Sequence, residues 1–300
     1  MYVVQFSTMK LVEYSDPRAF DQRVGRWLVL REAENHFIIG MIPEIIAGWT
    51  GASNARPRLF AIEDNGTINA AAMRLGNGNL LITWATPEAL DVLINGLAEL
   101  NCVVTSVFGP GHVSGLCARK IAERTGRAFE VGRAERIFQL ARLTYSPPDS
   151  GRLEVATVAD QGFLLPWVEG FIKEAEYETK RAAEVMQALI ASRRMYLWKN
   201  PMPVSMAAWV CPTPHGGCIN FVYTPEEYRG KGHGTAVVAG LARHLFANGT
   251  RFCFILTDPA DHRTNHIYQK VGARTLCELL RCTLAPAQTP SRLAAQSSSN

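Results

Sequence analysis

The chain has 300 residues, a formal net charge of +4, 47% hydrophobic and 19% charged residues, which is the composition of ordinary folded domains. Its length exceeds the roughly 100–200 residues of one typical domain, and its spread, modest charge gives no basis for nucleic-acid binding. No apolar run approaches the ~18 residues of a membrane span, residues 1–15 lack the order of a secretory leader, and the 7 cysteines form no C-x-x-C pair, so a cytoplasmic protein without a zinc ribbon or disulfide framework is expected.

In chain order, the first half carries W-A-T-P-E-A at residues 84–89, followed by a helix with Leu90, Leu93, Ile94 and Leu97 at helical spacing. A strand over 102–108, a helix over 112–124 and a strand over 136–143 follow. The stretch Y-S-P-P-D-S-G-R at 145–152 is rich in structure breakers and reads as a linker. Beyond it, a helix beginning near Gln161 has an apolar stripe of Val168, Phe171, Ile172 and Ala175, and a wet face with Glu169, Glu174, Glu176 and Glu178. Residues 219–224 read as a strand, and V-Y-T-P-E-E at 222–227 echoes the motif of the first half. The next helix carries Val237, Leu241 and Leu245 and closes at Gly249. Residues 251–257, with Phe252, Cys253, Phe254, Ile255 and Leu256, form a strand buried on both faces. A short helix, T-N-H-I-Y-Q-K-V-G, starts at Thr264 and ends at Gly272; residues 273–284 return as strand, and 285–300 read as a solvated tail. Motif, helix, strand, helix and strand thus recur in the same order, the mark of an internal repeat.

The chemistry concentrates at residues 222–235, V-Y-T-P-E-E-Y-R-G-K-G-H-G-T. Gly230, Gly232 and Gly234 allow successive backbone N–H groups to face one ligand, the following helix adds the positive end of its dipole, and Arg229 and Lys231 add full charges. This is an anion loop suited to a diphosphate. A Walker A loop is excluded because Lys231 is followed by Gly232 rather than Ser or Thr. A dinucleotide loop requires G-x-G-x-x-G in a first βαβ unit; here the spacing is G-x-G-x-G, late in the chain, although Asp258 lies roughly 20 residues on. The pattern that fits is R-x-x-G-x-G at Arg229, Gly232 and Gly234. It resembles the acetyl-CoA-binding motif of the GNAT superfamily of N-acetyltransferases, and the buried strand and N-x-x-Y-x-K-x-G helix follow in that family's order.

The resemblance implies an α/β fold of the α+β kind, a mixed central sheet flanked by helices, present as tandem GNAT-like domains. Residues 1–146 form a degenerate N-terminal copy, 152–284 the acetyl-CoA-binding catalytic copy, and 285–300 a flexible tail. In the first copy Glu88, Ala89, Leu90, Asp91 and Val92 follow Pro87 where a diphosphate requires glycines and cations. The implied activity is transfer of an acetyl group from acetyl-CoA, the cosubstrate, to a primary amine by direct attack on the thioester. Val222, Tyr223 and Thr224 are then expected to meet pantetheine, and Arg229, Gly230, Lys231, Gly232, His233, Gly234 and Thr235 the diphosphate. Asn265 is expected to hydrogen-bond the cofactor or cap the splayed strands, and Tyr268 to protonate the leaving thiolate. The strand before the loop offers Cys218, Asn220 and Tyr223 but no carboxylate for a general base; the resemblance puts part of the substrate pocket in the region of Glu174 and Glu178, either of which is expected to steer a cationic amine or accept its proton through water. His262 and His266 lack a third ligand, and His262 precedes the cap expected at Thr264, so no metal is expected. The expected partners are a small-molecule or peptide amine and a second copy in a homodimer, without nucleic acid or membrane. Two other readings remain open: a CoA-binding sensor or scaffold without turnover, and a dinucleotide-binding oxidoreductase domain.

Overall fold

The computed structural model describes residues 8–49, 55–147, 151–175 and 181–286. Residues 287–300 of the expected tail lie outside the described residues, as do Glu176 and Glu178. The chain opens with strand β1 (Lys10–Tyr14), helices α1 (Pro17–Leu28) and α2 (His36–Ile46), and strands β2 (Arg58–Asp64), β3 (Thr67–Arg74) and β4 (Asn79–Ile82). Helix α3 (Pro87–Glu99), strand β5 (Ser106–Pro110), helix α4 (Gly111–Thr125), and strands β6 (Phe129–Leu140) and β7 (Arg152–Val155) follow. Then come helices α5 (Gln161–Glu174) and α6 (Ala182–Ala191), and strands β8 (Met195–Lys199), β9 (Pro203–Val210) and β10 (Gly216–Tyr223). Helix α7 (His233–Ala247), strand β11 (Phe252–Thr257), helix α8 (His262–Val271) and strand β12 (Arg274–Leu284) complete the mixed α/β fold. No helix among the described residues is long and apolar enough to cross a membrane.

Several boundaries differ from the sequence reading, three of them for a clear local reason. The strand expected from 102 begins at Ser106 because the N–H of Cys102 still bonds the carbonyl of Leu97 and closes α3. The strand expected from 136 begins at Phe129, since exposed residues such as Val131 carry no burial signal. Helix α8 starts at His262, not Thr264: Asp261 is its cap, accepting from the N–H of Thr264 at 3.1 Å and from the Thr264 hydroxyl. His262 and His266 therefore stand one turn apart on the same helix, both exposed.

The chain packs as two compact units, each assembled from separate stretches. Unit 1 takes the described parts of Met1–Ser15, Trp49–Gly132 and Leu280–Asn300. Its strands run β1-β2-β3-β4-β5, followed by the final residues of β12; β4 and β5 pair in parallel and the β1 to β4 neighbours antiparallel. Its core joins Phe60, Leu80, Leu90, Leu93 and Val107 with Cys282 and Leu284. The two helices over this sheet start and stop on strong signals. Thr86 caps α3 and accepts from the N–H of Ala89, and Gly126, in the left-handed region, ends α4.

Unit 2 takes Asp16–Gly48 and Arg133–Leu279. Its strands run β6-β11-β10-β9-β8-β7. β10 and β11 are parallel, and every other described pair in this series is antiparallel. Strand alternation sorts its core into two layers. Phe138, Ile219, Cys253 and Ile255 pack beneath α7 and α8, whereas Leu197, Met206, Ala208 and Phe221 pack with α5 and α6. Helix α1 buries Phe20, Val24 and Leu28, with Asp16 as its cap. Helix α2 sets His36 against Phe254 of β11, ring centroids 4.7 Å apart.

Candidate functional site

The site begins with an irregularity in β10. The strand pairs with β9 through Cys218, Ile219 and Asn220, then resumes at Tyr223 after a register shift. Phe221 takes a φ of +51°, a left-handed conformation uncommon for a bulky residue, and its N–H donates to Asn220 Oδ1 at 2.6 Å. One extra residue is thereby inserted, a β-bulge. On the other side, β10 pairs with β11 only from Gly216↔Phe252 to Cys218↔Phe254. Val222 consequently has no register partner on β9 or β11, and the two parallel strands part beyond Cys218, where a ligand backbone can enter.

The end of β10 is held from behind. The Ser205 hydroxyl, fully buried on β9, donates to the carbonyl of Tyr223 at 2.9 Å and lies 3.0 Å from Thr224 Oγ1. Arg229 Nε donates to the carbonyl of Thr224 at 2.8 Å. The Tyr223 ring turns toward α5, where Gly170 admits it: a Cβ there would come within 2.5 Å of the phenol oxygen.

Beyond Thr224 the chain makes a 3₁₀ turn, Glu226–Tyr228, and enters the glycine loop. Gly230 and Gly232 have φ of +76° and +79°, and Gly232 is the backbone cap of α7, with no side chain capping the helix. Among the described residues, the N–H groups of Gly230, Lys231, Gly232, His233, Gly234 and Thr235 donate to no other group. Gly234 has an ordinary φ and marks a close approach: a Cβ there would lie 3.4 Å from Ile267 Cδ1 and 3.5 Å from Thr224 Oγ1. The start of α7, the end of β10 and helix α8 therefore meet at one point. His233 is shifted toward its neutral form by partial burial and by the charge of Lys231.

Helix α8 contributes two buried polar residues. Asn265 Nδ2 donates to the carbonyls of Asp258 and Pro259, both at 3.1 Å, while its buried Oδ1 has no partner. These two acceptors fix the amide's orientation, leaving an acceptor atom beside the open end of β11. Tyr268 is 4% exposed and its ring packs on Phe138 at 5.9 Å. Burial above all, with the neighbouring Cys218 and Asp261, pushes its phenol well above the usual range, so it stays protonated at neutral pH.

Residues 197–282 match the family model described as FR47-like protein. Three solved structures align over almost the whole chain. An acetyltransferase of the GNAT family from Colwellia psychrerythraea superposes at a TM-score of 0.54 and 13% identity, covering 93% of this chain and 99% of its own. A GCN5-related N-acetyltransferase from Sphaerobacter thermophilus superposes at 0.55 and 15%, covering 93% and 97%. A tandem GNAT protein from the clavulanic acid biosynthesis pathway superposes at 0.50 and 13%, covering 94% and 99%. The chain has the tandem GNAT fold. No curated protein sequence matches it.

Within this GNAT fold, the two units treat the equivalent strand pair differently. In unit 1, β4 and β5 stay close: a Cβ on Gly109 would fall 2.2 Å from the carbonyl oxygen of Ile82. The helix that follows β4 has its N-terminus occupied by the Thr86 side chain, unlike α7. In unit 2, Arg229 and Lys231, which the sequence places at the diphosphate, have side chains directed elsewhere. Arg229 bridges Thr224 and Glu174, at 2.5 Å from Glu174 Oε1, and lies 5.6 Å from the centroid of Tyr223. Lys231 Nζ reaches back to the carbonyl of Glu227 at 3.4 Å. Glu174 is thus tied to the loop. Tyr196 and Trp198 lie in the core beneath α7. The left-handed Phe221 and the buried Ser205 carry no sequence signal, because an aromatic and a serine in a strand read as ordinary.

Proposed function

We propose that this protein is an acetyl-CoA-dependent N-acetyltransferase that acts on a primary amine, with unit 2 holding the reaction. The observation carrying this reading is the run of six undonated N–H groups at the start of α7, set against the strand end where β10 leaves β11. Such a loop suits a diphosphate, because convergent N–H groups and the helix dipole stabilise an anion without a buried cation. The residues fit the rest of the cofactor as well. The backbone of Val222, without a register partner on β9 or β11, and the end of β10 offer hydrogen bonds to an extended amide chain, and the orphaned Asn265 Oδ1 offers an acceptor to one of its N–H groups.

Acetyl-CoA supplies an acetyl group on a thioester when bound. The protein's part is to orient, polarise and move protons. Phe221 already gives its N–H to Asn220, so we assign the N–H of Val222 to the carbonyl oxygen, where negative charge develops during attack. Tyr268, held protonated by its surroundings, donates its phenol proton to the departing sulfur. Gly230 to Thr235 anchor the diphosphate so that these groups meet the reacting atoms in register.

The test is thiol release from acetyl-CoA by the purified protein against a panel of small amines, with Tyr268→Phe and Gly232→Glu alongside. Amine-dependent release, reduced by Tyr268→Phe and abolished by Gly232→Glu, supports the reading. Tight CoA binding without turnover on any amine replaces it with a CoA sensor or scaffold, and absence of CoA binding removes both.

A further inference from the structure

The buried hydroxyl behind the end of β10 decides which way its neighbour's proton points. We infer that Ser205, on β9, is a positioning residue for the cofactor's pantetheine arm, turning the Thr224 hydroxyl so that its oxygen accepts from one of the arm's amide N–H groups; the inference rests on the CoA-binding part of the reading above. Ser205 is fully buried and lies with Ala207 on the α7 side of the sheet, opposite Met206 and Ala208, which pack with α5 and α6. The next residue of β9, Met206, stands opposite Tyr223, which brings Ser205 to the end of β10.

A serine hydroxyl has one proton to give. The carbonyl of Tyr223, 2.9 Å away, can only accept, so the proton of Ser205 goes there. Ser205 Oγ and Thr224 Oγ1 are 3.0 Å apart, and with the Ser205 proton committed, Thr224 is the donor of that bond. The Thr224 hydroxyl is thereby an acceptor toward everything else, and among the described residues it accepts from no group. Its backbone carbonyl already accepts from Arg229 Nε.

The Thr224 oxygen stands where the start of α7 and helix α8 meet the end of β10. It lies 3.5 Å from the point a Cβ on Gly234 would take, and that point is 3.4 Å from Ile267 Cδ1. An oxygen presenting only lone pairs repels a phosphate oxygen and suits an N–H donor, whereas the donors for the diphosphate are the loop N–H groups further on. The pantetheine arm carries two amide N–H groups. Asn265 Oδ1, whose Nδ2 donates to the carbonyls of Asp258 and Pro259, is the other fixed acceptor of this site. Both side chains have their protons turned into the protein, so that only lone pairs are left for a ligand.

The experiment measures by calorimetry the Kd of acetyl-CoA and of 3′-phospho-ADP, which has the diphosphate but no pantetheine arm. Wild type, Thr224→Val, Thr224→Ser, Ser205→Ala and the Ser205→Ala/Thr224→Val double variant are compared, with thermal melting to follow folding. We expect Thr224→Val and Ser205→Ala each to weaken acetyl-CoA roughly 3–10-fold, with 3′-phospho-ADP changed less than about twofold and Thr224→Ser close to wild type. Because the two residues serve one hydrogen bond, the double variant should bind acetyl-CoA within about twofold of Thr224→Val alone. Thr224→Val leaves the Ser205 bond to Tyr223 in place, so it tests the acceptor even where Ser205→Ala lowers the melting temperature. The inference is overturned if Thr224→Val binds acetyl-CoA as wild type does, if both ligands weaken equally, or if the two losses multiply in the double variant, as a merely supporting Ser205 requires. A wild type that binds neither ligand removes the CoA-binding reading and this inference with it. A wild type that binds both but acetylates no amine removes only the transfer step, and the affinities still decide the inference.

Discussion

The Glu32 carboxylate and His215 are bound through both backbone and ring: Glu32 Oε1 accepts from the N–H of His215 at 2.7 Å, and Oε2 lies 2.7 Å from His215 Nδ1. The N–H of Gly216, the first residue of β10, also donates to Glu32 at 3.1 Å. Glu32 is 5% exposed. Burial favours its protonated form, but the hydrogen bonds from the His215 amide and ring outweigh it and hold the carboxyl below its usual range. Residues from the α1–α2 segment thus anchor the start of the strand whose far end forms the site. Glu32→Ala leaves these donors buried and should cost about 3 kcal/mol in urea unfolding, while Glu32→Gln retains an acceptor and should cost less. A change below about 0.5 kcal/mol for the alanine variant would falsify the anchoring role.

His36 gives unit 2 an acid-sensitive element. Its ring is buried against Phe37 and Phe254, and Nδ1 lies 2.7 Å from the carbonyl of Ala33. Burial lowers its pKa from 6.5 to about 4. The unfolded chain therefore binds this proton first as pH falls, so the stability due to neutral His36 is complete above about pH 6.5 and lost progressively toward pH 4. The expected slope from this group is about 1.4 kcal/mol per pH unit inside that window and none below it. Denaturant titrations of wild type and His36→Gln across the window check this; an unchanged slope in the variant assigns the acid sensitivity elsewhere.

Arg229 works as a strut with two ends, one on the carbonyl of Thr224 and one on Glu174. Glu174 first, opposed by burial, holds its guanidinium further into the charged range. A lysine keeps the charge but not the fork. Arg229→Lys is therefore expected to weaken CoA binding about 10-fold, because the strand end is no longer fixed, while the partly exposed ion pair itself contributes roughly 0–1 kcal/mol to stability. Calorimetric CoA affinity equal to wild type would show that charge alone suffices.

The three loop glycines should respond differently to alanine. Gly230 and Gly232 have open space where a Cβ would stand but left-handed backbones, so Gly232→Ala should cost roughly 1–2 kcal/mol of strain. Gly234 has an ordinary helical backbone, and a Cβ there would meet only normal contacts. Gly234→Ala should be neutral or stabilising by up to about 1 kcal/mol. Melting curves of the two single variants decide between this order and a uniform requirement for glycine.

Much of the site is legible in the sequence because its signals are local. The glycine spacing around Arg229, the apolar period of α7 and the unbroken apolar run of β11 are properties of a few adjacent residues, and each reappears in place. The start of α8 differs by two residues because Asp261 and Thr264 are both competent caps, and only the backbone path selects Asp261. Phe221 is illegible for a deeper reason. Nothing in F-V-Y announces a left-handed residue, and the bulge exists because β9 and β10 continue their pairing while β11 does not follow.

The sequence by itself determined the anion loop, the helix it opens and the order of elements that marks the GNAT resemblance, since these depend on conformational preference and periodicity over short windows. Only the tertiary structure decided that Asp16–Gly48 packs in unit 2 while residues 280–286 pack in unit 1, and that Arg229 turns to Glu174 rather than along the loop. These are matters of strand register and burial between residues as much as 183 positions apart, as with Glu32 and His215, and short-range pattern carries no information about such pairings.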